Sequence, residues 1–179
     1  MTAPRLFHVS EERGLRRFEP RPSPAPSPGL DEDVVWAIDE PRLPNYLLPR
    51  DCPRVCFAPA PDTTHDDAKL FFGGRAPHRV IAVEQTWRVS IEACRLSLYE
   101  MPPQAFRLHD ISAGYWISSV PVTATTEAEV ADLPGEIARR GAELMFMPSL
   151  WLLFDAVKRS SLAFSAIRMR NAQPRTETE

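Results

Sequence analysis

Several signatures that would decide a chemistry outright are missing from this sequence. It has no Gly-x-Gly-x-x-Gly and no Walker loop, which excludes the usual glycine-rich cradles for phosphate. It has no Gly-x-Ser-x-Gly elbow, which excludes the nucleophile turn of the α/β-hydrolases. No apolar stretch approaches the ~20 residues that a membrane-spanning helix needs. The opening residues carry no apolar run of signal-peptide length, so a cytoplasmic protein is expected. Cysteine is scarce. Cys52, Cys56 and Cys94 make no even disulfide framework, and Cys-Pro-Arg-Val-Cys has neither a second pair nor a nearby His to complete a tetrahedral zinc site. The expectation is reduced thiols and no metal. Lysine is nearly absent: of 21 basic residues only Lys69 and Lys158 are Lys. An arginine-rich chain offers planar forks of donors suited to phosphate and carboxylate, although a GC-rich genome produces the same bias.

What is present fits one domain. The chain has 179 residues, 44% of them hydrophobic, enough for a sizeable core. The net charge of −3 argues against extended nucleic-acid contact and leaves a terminal nucleotide as the nucleic-acid partner to consider. Residues 1–172 are expected to form a single nucleotide-binding domain, with 173–179 a disordered polar tail.

The pattern of apolar residues predicts about seven strands and three or four short helices. Leu6, Phe7 and Val9 form a short buried strand. Residues 13–19 allow at most a turn of helix. Five prolines between Pro20 and Pro28 forbid helix and central strand, giving an extended surface loop. Strands follow at 34–38, 54–58, 79–84, 96–101, 115–122, 143–147 and 163–170. Residues 59–74 read as an irregular loop with one apolar anchor. Helices are expected near 86–94, from Asp132 to Gly141, and from Ser149, where Leu150, Leu153, Phe154 and Val157 share one face. Consecutive strands of this kind indicate an α+β fold with mostly antiparallel sheets.

The candidate site begins at the first strand. His8 and Ser10 lie two apart, on one face, at the mouth of a sheet. His8 reads equally as a core histidine satisfied by backbone groups. Glu11 and Glu12 read as solvated charges or as acceptors for a ribose hydroxyl. Arg21, Arg50 and Arg54 border proline-rich turns, where phosphate-binding guanidiniums would be mounted. Tyr46 and Trp36 can stack on a base, and Trp36 also reads as core. His65 among Asp62, Asp66 and Asp67 reads as a solvated acidic patch. Arg168 and Arg170 alternate along one strand face, as a second positive edge or equally as an edge-strand guard against aggregation.

The segments LFHVSEE, FEPRP, VWAID, NYLLPRDCPRV, AGYW and IRMRNA resemble those of an uncharacterised family of small bacterial proteins over nearly the whole chain. More distantly, the first half is similar to the ADP-ribosyltransferase fold, which includes the RNA 2′-phosphotransferases. The resemblance implies a first strand whose His-x-Ser, here His8 and Ser10, binds a ribose and the amide of NAD or its relatives. It implies a second strand followed by a short helix with a Tyr near its end, here 34–38 and Tyr46. It also implies a catalytic Glu at the start of a later strand. That place falls at Gly114–Ile117, which holds no Glu; Glu84, after another strand, is the carboxylate left to name. The expected function is therefore binding of an adenine nucleotide (ADP, NAD or ADP-ribose), with ADP-ribosyltransferase-like activity. The alternatives are a non-catalytic nucleotide sensor or interaction module, and a phosphotransferase acting on a phosphorylated RNA end.

Overall fold

A computed structural model describes residues 3–23, 30–76 and 78–175. The inner part of the proline-rich loop, 24–29, and the last four residues of the tail, 176–179, lie outside them. In chain order the strands are β1 (Leu6–Ser10), β2 (Arg17–Phe18), β3 (Val35–Asp39), β4 (Arg54–Ala58), β5 (Arg79–Glu84), β6 (Leu96–Met101), β7 (Arg107–Asp110), β8 (Tyr115–Ser118), β9 (Val122–Thr123), β10 (Thr126–Val130), β11 (Ala142–Met147) and β12 (Ala163–Ile167). The helices are α1 (His65–Phe72), α2 (Arg88–Ala93), α3 (Leu133–Arg139) and α4 (Trp151–Lys158). The fold is α+β with mostly antiparallel sheets.

The chain forms two compact units. The first takes Met1–Tyr46 and Arg95–Ala131, the second Leu47–Cys94 and Asp132–Glu179. In the first, six antiparallel strands run in the order β10-β6-β1-β3-β8-β7. Leu6, Val35, Ala37, Tyr99 and Met101 share one face by register, and they bury against Phe18, Phe106 and Val122. In the second, the order is β11-β5-β4-β12, with only the β11/β5 pair parallel. Val55, Phe57, Val80 and Ala82 on one face of that sheet pack against Phe72 of α1 and Val157 of α4.

The structure corrects several local expectations. Residues 59–74 contain the helix α1. The Thr64 hydroxyl accepts from the Asp67 backbone N–H at 3.2 Å, Asp66 and Asp67 sit in the first turn, and Gly73 ends the helix at φ 57°. Only Phe72 is fully buried, so the helix has little apolar periodicity to read. Residues 17–18 are a strand pairing with β9, not a helical turn. The strand expected over 115–122 breaks after Ser118, because Pro121 has no N–H to continue the ladder and the Ser118 hydroxyl donates to the Val120 carbonyl at 3.0 Å. The last strand ends at Ile167, since Arg168 adopts the left-handed conformation at φ 55°. Arg168 and Arg170 therefore flank the strand without guarding it. Residues 173–175 are held to the second unit: Trp151 Nε1 donates to the Gln173 carbonyl at 2.7 Å, and Arg175 makes two bonds to Asp155 at 2.9 and 3.2 Å.

Candidate site at the break between β1 and β3

β1 pairs with β6 over all five of its residues, but with β3 only at Leu6↔Asp39 and Phe7↔Ile38. The backbone bond from Glu40 N to Arg5 O (3.2 Å) fixes the alternation. Continued, it would bring the Val9 N–H to the Trp36 carbonyl. The imidazole of His8 takes that carbonyl instead, with Nδ1 at 2.9 Å from Trp36 O. A carbonyl only accepts, so the proton is assigned to Nδ1. In the neutral ring Nε2 is then an acceptor. His8 is half-buried, with the Phe18 ring at 4.8 Å. A side chain thus closes a ladder where two central strands part, which is how a sheet can hold an imidazole rigidly without making it part of an apolar core.

The Trp36 side chain lies on the opposite face of the sheet from His8 and Ser10, because it alternates with Val35 and Ala37, which share the face of Leu6. It is half-buried rather than core. Tyr115 packs edge-on to it at 5.3 Å and His109 at 5.5 Å. The Tyr46 hydroxyl donates to that of Tyr115 at 2.6 Å. Trp36, Tyr115 and Tyr46 therefore form one aromatic group, partly open to solvent, which His8 meets only through the Trp36 backbone carbonyl. Tyr115 and its bond to Tyr46 went unnoticed in the sequence. The alternation of residues 115–118 could have placed Tyr115 on the face of Trp36, but only the pairing Ile38↔Tyr115 brings them together.

Ser10 lies on the same face as His8, and its hydroxyl accepts from the Glu12 backbone N–H at 3.0 Å. That turn leaves the hydroxyl proton to be donated. Glu11 is exposed beside it. Arg21 is exposed, and its backbone exchanges two bonds with Val34 (3.1 and 3.0 Å) that close the base of the proline-rich loop.

One row of side chains was not anticipated. Across three strands the register aligns His8, Tyr99 and Glu127. Glu127 Oε1 accepts from Gly14 N (3.0 Å), Ser97 Oγ (2.8 Å) and the Tyr99 hydroxyl (3.0 Å). The Tyr99 oxygen accepts from Leu15 N at 3.1 Å, and its proton is shared with the Glu12 carbonyl at 2.9 Å. Together they strap residues 12–15 to the sheet. The Gly14 N–H above all, then the Ser97 hydroxyl, holds the Glu127 carboxyl below its ordinary value of 4.5. A depressed carboxylate contributes stability that is present above the unfolded-state value and lost as pH falls below it. The stability difference between the wild type and Glu127→Gln should therefore shrink as urea midpoints are taken from pH 7 down through the region below 4.5. A difference that stays constant with pH would overturn this assignment.

Arg50, Arg54 and Glu84 belong to the second unit. Arg50 is exposed. Arg54 is buried, and its Nη1 donates to the carbonyls of Pro49 (3.2 Å) and Cys52 (2.8 Å). Glu84 is buried at the end of β5, and both carboxylate oxygens accept from Gln173 N, at 3.0 and 3.2 Å. Burial pushes the Cys52 thiol up to about 12 and that of Cys56 to about 11, so neither is a nucleophile at neutral pH. Among the described residues no group of three His, Cys, Asp or Glu side chains converges on a metal position, and no helix is long and apolar enough to cross a membrane.

Two clefts open on the first unit. The larger, about 410 Å³, is lined by residues that include Arg5, Asp39, Glu40 and Trp116, the smaller, about 240 Å³, by Phe106, Arg107 and Val120 among others. Neither is lined by His8, Ser10 or Tyr46. A protein-family model, described as a family of unknown function, matches residues 7–172. No curated protein and no solved structure matches the chain.

Proposed function

The chain belongs to this family of unknown function, DUF6886, and we propose that it binds an adenine nucleotide (ADP, NAD or ADP-ribose) in its first unit, where β1 leaves β3. The observation that carries the reading is the half-buried His8 ring, fixed by its bond to the Trp36 carbonyl on the sheet face it shares with Ser10. An imidazole held in place at Nδ1 is oriented to meet a ribose hydroxyl, and the Ser10 hydroxyl can donate to the same sugar. Trp36 and Tyr115, with Tyr46 bonded to Tyr115, lie on the opposite face of the sheet and are assigned no contact with a base held beside His8. Arg21 is the guanidinium of this unit that we assign to phosphate. Arg50 and Arg54 are assigned no ligand contact: Arg54 is occupied with the 49–52 turn.

The same residues favour the non-catalytic alternative, a nucleotide sensor, over ADP-ribosyl transfer. Glu84 is buried on the Gln173 backbone, and Glu127 is engaged by three donors. Neither carboxylate is left to stabilise a developing oxocarbenium ion.

Titration calorimetry with ADP, NAD, ADP-ribose and inorganic phosphate tests the reading. His8→Ala should weaken adenine-nucleotide binding by ~0.5–1.5 kcal/mol, the scale of a hydrogen bond between neutral groups. No binding of any adenine nucleotide, or unchanged affinity in His8→Ala, would sink it. Release of nicotinamide from NAD by the wild type would replace the sensor with an enzyme.

A further inference from the structure

Among the described residues the two larger sheets have four edges, and one is unlike the rest. β10 carries Glu127 and Glu129, β7 carries Arg107, His109 and Asp110, and β11 carries Glu143. Charged side chains of this kind are the ordinary protection of an edge against pairing with another chain. β12, Ala-Phe-Ser-Ala-Ile, has no charge and no proline. Ala163, Phe164 and Ala166 are exposed, Phe164 at 43%. The nearest charge on its C-terminal side is withdrawn. Arg168 turns away at φ 55°, its Nε lies 4.0 Å from Asp51 Oδ1, and its side chain is only 17% exposed. On the N-terminal side Ser161 is tied down by Asp67, with bonds from its N–H (2.8 Å) and hydroxyl (2.6 Å).

We infer that β12 is the edge through which two copies of this chain pair antiparallel, joining two four-stranded sheets into one of eight. The occupant is a second copy because the strand complements itself. Centred on Ser165, an antiparallel twofold register sets Phe164 opposite Ala166 of the other copy and Ala163 opposite Ile167. Both pairs match a large side chain with a small one, and no like charges meet. Phe164 and Ala166 face the side of the sheet that carries Phe57 and Val55, so the pairing extends an existing apolar surface. A twofold contact closes on itself and stops at a dimer. Five residues a side make a small interface, so the dimer is reversible, with a Kd on the order of 100 µM.

Sedimentation equilibrium on the full chain, at concentrations bracketing that Kd, tests the inference. The wild type should pass from monomer to dimer mass. Phe164→Glu and Ala166→Lys, both at exposed positions, should each raise the Kd at least about tenfold with an unchanged melting temperature. Mixing the two variants should restore association, because the register sets Glu of one copy opposite Lys of the other. A monomer at every concentration, a dimer indifferent to both variants, or a mixture that does not associate would each overturn the proposal.

Discussion

Replacing Arg54 by Ala is expected to lower the stability of the chain by about 2–5 kcal/mol. Arg54 is 3% exposed and Glu84 1%. The Arg54 guanidinium satisfies the carbonyls of Pro49 and Cys52. Truncation would leave two buried carbonyls without their donor. Each buried acceptor left unsatisfied costs its desolvation penalty, about 1–3 kcal/mol. Against a total stability of about 5–15 kcal/mol the loss is large, and denaturant midpoints will register it directly. Glu84→Gln is the companion measurement. It keeps the shape of the side chain and removes the charge that holds Gln173 N. Lower stability with unchanged ligand binding per folded molecule marks a structural carboxylate. Unchanged stability with lost turnover would return Glu84 to the catalytic role that the resemblance suggested.

Gly114→Ala is expected to cost about 2–4 kcal/mol, from left-handed backbone strain and overpacking together. Gly114 has φ +70°, and a Cβ there would stand 2.5 Å from Asp39 Oδ1 and 2.9 Å from Oδ2. Asp39 cannot swing aside cheaply. Its oxygens accept from Arg42 N (3.1 Å) and Arg42 Nη1 (2.9 Å), and its own N–H donates to the Gly114 carbonyl at 3.0 Å. Arg42 in turn donates to the Ile111 carbonyl at 3.0 Å. The glycine therefore permits the close approach that locks the end of β3 to the turn before β8. In an Asp39→Ala background the clash is gone, and Gly114→Ala should then cost only the ~1–2 kcal/mol of the left-handed conformation. An equal cost in both backgrounds would show that the carboxylate is not the obstacle.

The strands most legible in the sequence are those whose burial leaves an unambiguous apolar run. β4, β5 and β6 lie at the residues expected, because each is buried along almost its whole length. β10 was invisible for the opposite reason: Thr126–Glu129 are exposed and the segment belongs to the sheet only through β6. β7, with two exposed charges and one exposed Leu, escaped in the same way. For the candidate site, the period of two was enough to put His8 and Ser10 on one face. It could not reveal that the ladder to β3 stops at Phe7, nor that Trp36 would present its carbonyl to His8.

The sequence by itself determined the fold class, the buried strands and the helix starting near Ser149, since these depend on local periodicity and composition. Only the tertiary structure decided which polar groups meet. Glu84 and Gln173 are 89 residues apart, Tyr46 and Tyr115 are 69 apart, and Tyr99 and Glu127 are aligned by strand register. A hydrogen bond of about 3 Å fixes positions far more finely than hydrophobic periodicity, which says only which face of an element is buried. For that reason the residue types of this site were readable in advance. The division of labour was not: Glu84 and Arg54 hold buried backbone groups in the second unit, while His8 closes a broken ladder in the first.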